Sequence, residues 1–350
     1  MSREKFKIAV LPGDYIGPEI MQAGITVLAA VSKNKNFDYQ IKELPFGGAA
    51  IDKTGDPLPA KTLKECQDSD AVLLAAIGGP KWDRAAKRPE EGLLEIRKAL
   101  NLFANIRPTA ISPAMQKYSP LKQIKTVDFL IVRELTSGIY FGKPREESDK
   151  AALDTMRYSA TEIRRIVKIA FQTAEKRNHH VTLVDKANVL ATSKLWRRVS
   201  FQVASEFPNI SFDSCYVDAA AMKIIAAPEK FDVIVTENLF GDILSDEAAQ
   251  ITGSLGTIPS ISQGDKGPAL YEPIHGSAPD IAGKGIANPL SMINSVAMML
   301  DHSFNRKDLA KRITDSVNKT IENGITTPDL GGNNKTTTVT NAIIKRIEEN

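Results

Sequence analysis

The sequence has little cysteine and no long apolar run. Of its 350 residues only Cys66 and Cys215 are cysteines, too few for a disulfide framework and without the paired spacing of a zinc site. The longest apolar run, Ala71–Ile77, is far shorter than a membrane span. The charged N-terminus leads into a short apolar run that stops at Pro12, which predicts a strand rather than a signal sequence. We therefore expect a cytoplasmic protein with two buried, reduced thiols.

An excess of charge of one sign is also missing. The chain has 45 Lys and Arg residues against 42 Asp and Glu residues, spread along its length. So small a net charge argues against nucleic acid or a membrane surface as the main partner. An enzyme acting on a small molecule fits this composition better, and the length predicts two domains.

Two common nucleotide-binding motifs are absent. The first turn, Pro12–Pro18, follows an apolar run and opens a helical segment, where a dinucleotide fingerprint would lie. Only Gly13 and Gly17 are present there, so G-x-G-x-x-G is not matched and a standard Rossmann site is disfavoured. The P-loop pattern G-x-x-x-x-G-K-[ST] is missing too.

Short apolar runs alternate with longer segments of helical period, which is typical of βα units and a largely parallel sheet. The predicted strands are Phe6–Leu11, Phe37–Leu44, Ala71–Ile77, Phe129–Val132, Val181–Val184, Ser211–Val217 and Phe231–Thr236. The predicted helices are Pro18–Val31, Pro59–Gln67, Glu91–Leu100, Thr161–Lys176, Ser193–Phe207, Asp242–Gly253, Pro289–Leu300, Lys307–Glu322 and Thr337–Glu348. The charged segment Gly142–Asp154 is the clearest irregular stretch, a linker or an exposed arm.

The stretch Glu237–Ala248, ENLFGDILSDEA, carries two carboxylates at a spacing that chemistry can use. Asp242 and Asp246 are four residues apart, so a helix stacks them on one face. Their repulsion becomes an attraction if a divalent cation such as Mg²⁺ lies between them. The alternative is an acidic residue near a helix start together with a solvated surface charge.

Three arginines lie near the ends of predicted elements, at Arg97, Arg107 and Arg133. Guanidinium groups can clamp carboxylates with two hydrogen bonds each. Taken singly, each arginine is more often a solvated charge.

The helix that carries Arg97 also presents an apolar edge. Leu93 and Leu94 precede Arg97 by four and three residues, and Glu90 lies about one turn earlier. A carboxylate, an apolar patch and a guanidinium thus follow one another along the helix, unless the leucines belong to the core.

Polar residues also follow predicted strands at the sheet edge where α/β proteins bind ligands. Lys186 follows Val181–Val184, and Asp218 follows Ser211–Val217. A lysine there acts as a base if its neighbours lower its pKa, and Tyr140 offers a phenol. Each alone is more often an exposed charge, a helix cap or a packed ring.

The segment Glu272–Pro289, EPIHGSAPDIAGKGIANP, is rich in glycine and proline. Such a composition fixes the backbone and leaves room for the close approach of a flat ligand. A long connection of this kind in a compact domain is usually functional.

Taken together, these motifs are similar to those of a known enzyme family. They are LPGDYIGPE, EEGLLEIRKALNLFANIRP, IVRELTSGIYFG, VDKANVL, ENLFGDILSDEA and HGSAPDIAGKGIANP, in family order along nearly the whole chain. The sequence resembles the β-decarboxylating dehydrogenases of 3-isopropylmalate and isocitrate, and most closely the 3-isopropylmalate branch, which serves leucine biosynthesis.

The resemblance implies an α/β fold of two domains with one large mixed sheet running through both, unlike a standard Rossmann fold. It implies a discontinuous cofactor-binding domain, 1–101 plus 254–350. It also implies a domain for dimerisation, metal and substrate, 102–253, with an arm near 138–156. Each active site of a homodimer is then shared, with Lys186, Asn188 and Asp218 contributed by the neighbouring subunit.

The resemblance also implies roles for the polar residues. Arg97, Arg107 and Arg133 would hold the two substrate carboxylates, beside Glu90, Leu93 and Leu94. Mg²⁺ or Mn²⁺ on Asp218, Asp242 and Asp246 would bind the 2-hydroxyl and the adjacent carboxylate. Lys186 would remove the hydroxyl proton, through water, as hydride leaves C2, and Tyr140 would protonate the enolate carbon after CO₂ is lost.

The cofactor implied by the resemblance is NAD. The residues expected to bind it are Glu272, His275, Gly276, Ser277, Ala278, Pro279, Asp280, Ile281 and Asn288, with Asn188 of the neighbouring subunit. NADP-using isocitrate enzymes have Lys and Tyr where this chain has Asp280 and Ile281. A carboxylate there accepts hydrogen bonds from a ribose and repels a 2′-phosphate, so we predict NAD.

Leu93 and Leu94 indicate the subtype, because isocitrate enzymes recognise a third carboxylate with polar residues. Burying an isopropyl group against two leucines contributes about 2 kcal/mol. The alternatives within the family are dehydrogenases of tartrate, D-malate or homoisocitrate. From a different class, a Mg²⁺-dependent phosphoryl-transfer enzyme or hydrolase would also use paired aspartates with Lys and Arg.

Overall fold

The computed structural model of the protein describes residues 5–121 and 127–349. Residues 1–4, 122–126 and 350, which the predicted domains include, lie outside the described residues. The chain forms two compact units. Unit 1 comprises Met1–Asn101, Ser112–Tyr118 and Gly253–Asn350, and unit 2 comprises Leu102–Ile111 and Ser119–Thr252. Unit 1 therefore draws on both ends of the chain, and it includes the short segment Ser112–Tyr118, which the sequence assigned to the other domain.

Strands and helices alternate along most of the described part. The strands are β1 (Lys5–Gly13), β2 (Asp38–Glu43), β3 (Ala71–Ala76), β4 (Ala104–Ala110), β5 (Asp128–Glu134), β6 (Arg145–Glu147), β7 (Ala152–Asp154), β8 (His180–Asp185), β9 (Ser211–Tyr216), β10 (Val233–Thr236), β11 (Pro259–Gln263) and β12 (Ala269–Pro273). The helices are α1 (Gly17–Ser32), α2 (Gly48–Thr54), α3 (Ala60–Gln67), α4 (Pro89–Ala99), α5 (Ala160–Ala174), α6 (Ala191–Ala204), α7 (Val217–Ala226), α8 (Asn238–Ile251), α9 (Leu290–His302), α10 (Lys307–Glu322) and α11 (Thr336–Glu349).

The predicted large mixed sheet is confirmed. It contains ten of the strands in the described residues. In unit 1 the order is β2-β1-β3-β12-β11, with β11 antiparallel to β12 and the other pairs parallel. In unit 2 the order is β4-β5-β10-β8-β9, with only β4 antiparallel to its neighbour β5. Every residue of β3 is buried, as expected for a parallel strand covered on both faces.

The parallel strands of unit 2 place their carboxyl ends at one edge. Thr236, at the end of β10, is level with Arg133 of β5 and with Val184 of β8. Glu237, Lys186 and the start of α7 follow directly after β10, β8 and β9. This is the edge at which open α/β sheets bind ligands.

The core of unit 2 lies between the sheet and the helices α5 and α6. Trp196, Phe171 and Phe103 are among its large buried side chains. Helix α5 begins with a capping box, in which Ser159 and Glu162 exchange side-chain and backbone hydrogen bonds. The edge of the sheet at the carboxyl ends of these strands is therefore supported by well-packed helices.

The irregular stretch Gly142–Asp154 contains a hairpin. Strands β6 and β7 pair antiparallel, with Arg145 opposite Asp154, and all of their residues are exposed. This part of the stretch is therefore an exposed hairpin, while its role as a linker or as an arm between subunits stays a prediction.

Several predicted bounds differ from the structure. The helix predicted to start at Asp242 starts at Asn238, because the cap is supplied by Glu237. Arg107 and Arg133 lie inside strands β4 and β5 rather than at their ends. Strands β4, β6, β7, β11 and β12 and helices α2 and α7 are not among the predicted elements. In the described part, no helix is both long and apolar enough to cross a membrane.

Candidate active site

Two buried arginines of unit 2 face two carboxylates on helix α8. Arg133 donates from NH1 to Asp242, and Arg107 donates from NH1 to Asp246 Oδ1 over 3.2 Å. Arg107 NH2 also lies 3.5 Å from Asp242 Oδ1. Both guanidinium groups are buried, at 2% exposure for Arg133 and 8% for Arg107, so the interpretation of these arginines as solvated charges is wrong.

Neutral side chains fix the orientation of both arginines. Asn238 Oδ1 accepts from Arg133 Nε over 3.0 Å and from NH2 over 2.8 Å. Asn105 Oδ1 accepts from Arg107 Nε over 2.8 Å, and Ser245 Oγ accepts from Arg107 NH1 over 2.7 Å. The remaining donors of each guanidinium are thereby directed at the carboxylates.

The start of helix α8 aligns these groups. Glu237 caps the helix, with its carboxylate accepting from the backbone N–H groups of Phe240 (2.9 Å) and Leu239 (3.2 Å). A Cβ atom on Gly241 would lie 2.6 Å from Cγ of Arg133, so only glycine allows this close approach. Asp242 and Asp246 then project from successive turns, as their spacing predicted.

Tyr140 joins the same cluster. Its hydroxyl donates to Asp242 Oδ2 over 2.9 Å, and the guanidinium of Arg133 lies 5.7 Å from the centre of its ring. Burial, followed by the negative charge of Asp242, raises the pKa of Tyr140 to about 12. The phenol therefore keeps its proton at neutral pH.

The pKa of Asp246 is also raised. Partial burial raises the pKa of its carboxyl group, and the nearby Asp242 adds to the rise against the opposing charge of Arg107. The two carboxylates supply oxygen ligands of the kind that hard divalent cations prefer. Their chemistry fits a Mg²⁺ or Mn²⁺ site, and a cation would relieve the repulsion between the aspartates.

A second cluster of unit 2 contains Lys186 and Asp218. Lys186 Nζ lies 2.8 Å from Asp218 Oδ1, and this contact lowers the pKa of the Asp218 carboxyl group. The buried Asp185 holds Arg197 through two hydrogen bonds of 2.9 and 2.7 Å and accepts from the N–H of Ala187. The backbone on both sides of Lys186 is thus fixed.

Asp218 is not brought together with Asp242 and Asp246 within one chain. Among residues 5–121 and 127–349, no three His, Cys, Asp or Glu side chains are grouped as metal ligands. Asp218 lies in the first turn of α7 with its side chain 65% exposed, and Asn188 is exposed in the turn after β8. The expected contribution of these residues from a neighbouring subunit stays a prediction.

In unit 1, Arg97 is paired with Glu272. NH2 of Arg97 donates to Glu272 Oε1 over 3.0 Å, and both side chains are about nine-tenths buried. Within the described part of the chain, Nε of Arg97 is buried without a hydrogen-bond partner. A buried donor of this kind is costly unless a ligand accepts from it.

The apolar edge of α4 precedes Arg97 as predicted. Leu93 and Leu94 are half-buried, and Glu90 is exposed. The leucines are not core residues, so their side chains remain available to a ligand.

The segment after β12 is irregular and rich in turns. Burial lowers the pKa of His275, whose Nε2 is buried without a partner in the described residues. Gly276 and Pro279 are exposed, and Ala278 has a positive φ of 42°. An orphaned ring nitrogen fits a segment that receives a polar ligand.

Ser277 and Asn288 are the buried polar residues of this segment. Ser277 Oγ donates to the carbonyl of Gly78 over 2.7 Å. Asn288 Nδ2 donates to Asp329 Oδ2 over 2.8 Å, and its Oδ1 accepts from the N–H of Leu290 over 3.0 Å. Asp280 is exposed and Ile281 is half-buried, so these two remain open to a ribose.

Sequence reasoning missed the residues that orient the arginines. Glu237 and Asn238 belong to the stretch Glu237–Ala248, in which only the two aspartates have a spacing that predicts a site. Tyr158 donates to Glu237 Oε2 over 2.9 Å and accepts from the N–H of Asn238 over 2.9 Å. Glu237 and Tyr158 are 79 residues apart, and no local sequence pattern predicts a contact over such a distance along the chain.

The chain is similar to known proteins along nearly its whole length. The family described as isocitrate/isopropylmalate dehydrogenase matches residues 7–346. A 3-isopropylmalate dehydrogenase from Listeria monocytogenes is 57% identical over 98% of this chain and 99% of its own length. One from Streptococcus thermophilus is 58% identical over 97% and 99%. A solved isocitrate dehydrogenase from Methylococcus capsulatus is similar with a TM-score of 0.89 at 37% identity, over 98% of this chain and 99% of that one.

Proposed function

Because the chain belongs to the isocitrate/isopropylmalate dehydrogenase family, as its motifs predicted, we propose that it is an NAD-dependent 3-isopropylmalate dehydrogenase. The reaction oxidises the 2-hydroxyl of (2R,3S)-3-isopropylmalate and removes CO₂ to give 4-methyl-2-oxopentanoate, a step of leucine biosynthesis. The observation that carries the proposal is the cluster of Tyr140, Asp242 and Arg133 at the sheet edge. Names of relatives at 57–58% identity give the substrate.

The substrate would be held by arginines and leucines. Arg107 and Arg133 are buried and oriented by neutral side chains, which suits the binding of carboxylates. Arg97 adds a donor, Nε, that lacks a partner in the described part. Leu93 and Leu94 would cover the isopropyl group, and Glu90 stands one turn before them.

Two protein groups would move protons. Lys186 would take the proton of the C2 hydroxyl, directly or through a water molecule, as the carbon is oxidised. After CO₂ has left, Tyr140 would give its proton to the enolate carbon, and the proton is available because the pKa of Tyr140 is raised to about 12. The hydrogen bond to Asp242 fixes the position of the Tyr140 hydroxyl.

A cation and a dinucleotide complete the chemistry. Asp242 and Asp246, with Asp218 of the partner subunit, would hold Mg²⁺ or Mn²⁺. When bound, the cation stabilises negative charge on substrate oxygens and NAD accepts the hydride. NAD would lie on the segment from Glu272 to Asn288, where Asp280 is open to the adenosine ribose.

The proposed active form is a cytoplasmic homodimer with shared sites. Met222 and Ile225 of α7 and Ile243 of α8 are 66%, 51% and 58% exposed, and apolar side chains exposed together on packed helices are typical of an interface. A dimer would bring Lys186, Asn188 and Asp218 of one subunit to the Tyr140 cluster of the other. We assign cofactor binding to unit 1, dimerisation and metal binding to unit 2, and the intersubunit arm to the hairpin β6–β7.

The absorbance of NADH tests the proposal. Purified protein is given NAD with 3-isopropylmalate, isocitrate, D-malate, tartrate or homoisocitrate, each with Mg²⁺, with Mn²⁺ or with a chelator. We expect reduction of NAD with 3-isopropylmalate and a divalent cation, and its loss with the chelator. Absence of reduction with every substrate would contradict a dehydrogenase, and preference for another diacid would reassign the substrate within the family.

A further inference from the structure

Asp14 is a buried carboxylate in the turn after β1. Its side chain is 3% exposed. Oδ2 accepts from the backbone N–H of Gly48 over 2.9 Å and of Gly78 over 2.8 Å, and Oδ1 accepts from the N–H of Ala49 over 2.7 Å. One carboxylate thus ties together the turn after β1, the first residues of α2 and the segment after β3.

The Gly78 contact leads on to the proposed cofactor segment. The carbonyl of Gly78 accepts from Ser277 Oγ over 2.7 Å, and the N–H of Ile16, two residues after Asp14, donates to the carbonyl of Ser277 over 3.1 Å. Ser277 is therefore held by the two backbone segments that meet at Asp14. A Cβ atom on Gly78 would lie 2.5 Å from Glu90 Oε1, so the position of Gly78 also bears on Glu90.

We propose that Asp14 is a positioning residue for dinucleotide binding, which acts through Gly78 on Ser277. The inference rests on the proposed function, which assigns the segment from Glu272 to Asn288 to NAD. Asp14 itself touches neither substrate nor cofactor. The Asp14 carboxylate fixes the position of the Gly78 backbone by accepting from its N–H. The Gly78 carbonyl in turn fixes the hydroxyl of Ser277 by accepting from it.

A carboxylate suits these three donors, because both of its oxygens accept hydrogen bonds. An aspartate offers acceptor sites on both oxygens, and here each oxygen receives at least one N–H. An asparagine has the same size, but its amide nitrogen would face an N–H and leave at least one buried donor without an acceptor. Such an orphaned donor is costly in a buried position, so the backbone at Gly78 would move.

The variant Asp14→Asn tests the inference, with Asp232→Asn as a matched control. Asp232 is also a buried aspartate, 4% exposed, and it accepts from the N–H groups of Asn178 and His180 and from Arg177. It lies in unit 2, before β10. NAD alone is titrated into wild type and both variants by calorimetry, and thermal melting establishes that each is folded.

We expect the Kd for NAD to rise about tenfold in Asp14→Asn, the size that one orphaned donor produces. In turnover, the KM for NAD should rise while kcat changes little, because the groups that move protons are untouched. Asp232→Asn should lower the melting temperature but keep the Kd for NAD within about twofold. A purely structural role for Asp14 would give the two variants the same Kd.

The outcomes separate the inference from the proposed function. If wild type neither binds nor reduces NAD, the proposed function fails. If wild type binds NAD and Asp14→Asn binds NAD equally well, or if Asp232→Asn weakens NAD binding as much as Asp14→Asn does, only the inference is overturned.

Should Asp14→Asn not fold, Gly47→Ala disturbs the same contact, since its Cβ would lie 2.8 Å from Asp14 Oδ2. A folded Gly47→Ala with weaker NAD binding supports the inference, and unchanged binding or failure of both variants to fold overturns it.

Discussion

Tyr140 donates its hydroxyl hydrogen to Asp242 Oδ2 over 2.9 Å. The hydrogen bond joins the residue proposed to deliver a proton to a residue proposed to hold the cation. It favours the protonated phenol, because an ionised Tyr140 would stand against the Asp242 carboxylate. The same contact fixes the position of the hydroxyl, so the proposed proton donor is positioned before a substrate binds.

Replacement of Tyr140 by phenylalanine removes that proton and leaves the ring in place. We expect kcat for 3-isopropylmalate to fall by about two to four orders of magnitude, the usual contribution of a positioned acid. The KM should change far less, because the arginines remain. Steady-state kinetics by NADH absorbance measure both, and Tyr39→Phe, a half-buried tyrosine of β2, is the control. A kcat for Tyr140→Phe close to that of wild type would remove Tyr140 from catalysis.

Leu93→Ser tests whether the leucines cover the isopropyl group. Loss of the Leu93 half of that apolar contact should lower kcat/KM for 3-isopropylmalate about fivefold, which corresponds to about 1 kcal/mol. D-malate has no isopropyl group and should be little affected. Leu63→Ser changes another half-buried leucine, on α3. It should leave the ratio of kcat/KM for the two substrates unaltered. Equal losses of kcat/KM for the two substrates in Leu93→Ser would show that this leucine does not contact the isopropyl group.

Asp280 and Ile281 should decide the choice of cofactor. In Asp280→Lys with Ile281→Tyr, a cation replaces the carboxylate that repels a 2′-phosphate. We expect the ratio of kcat/KM for NADP over NAD to rise by at least about tenfold. Asp265→Lys, which places the same charge at another exposed position of unit 1, controls for a general effect of charge. An unchanged ratio in the double variant would mean that the ribose lies elsewhere.

The sequence predicted the alternating strands and helices of the fold but missed particular strands. Strand β4, ANIRPTA, contains Arg107 and Pro108 in its middle, and both residues argue against a strand when only the local pattern is considered. Arg107 is accommodated because its guanidinium reaches the neutral and acidic side chains of the sheet edge. Strands β6 and β7 have only three residues each, all exposed, so no apolar alternation marks them.

The candidate site was predictable where it depends on spacing along one helix. The four-residue interval between Asp242 and Asp246 sufficed to place them on one face. The hydrogen bonds from Arg133 to Asn238 and from Tyr158 to Glu237 span 105 and 79 residues. Spacing cannot predict contacts of this kind, because they depend on which strands become neighbours in the sheet.

Lys186 and Tyr140 belong to separate clusters of one chain. Lys186 pairs with Asp218, whereas Tyr140 pairs with Asp242. If each active site takes Lys186 from one subunit and Tyr140 from the other, two different inactive variants should restore each other. This expectation follows from the two-fold symmetry of the proposed dimer.

Co-expression of Lys186→Ala with Tyr140→Phe should therefore recover activity that neither variant has alone. A mixed dimer has one site with both residues intact and one with neither, so equal amounts of the two chains should approach about one quarter of the wild-type rate. Tyr140→Phe co-expressed with Asp242→Asn is the matched control, because both residues would come from the same subunit and every site would lack one of them. NADH absorbance of the co-expressed protein, purified without separating the three kinds of dimer, measures the recovery. No activity in the first pair would mean that each chain builds its own site, and Asp218 would then no longer be the third ligand from the partner subunit. Activity in the control would mean that Tyr140 and Asp242 of one site come from different subunits.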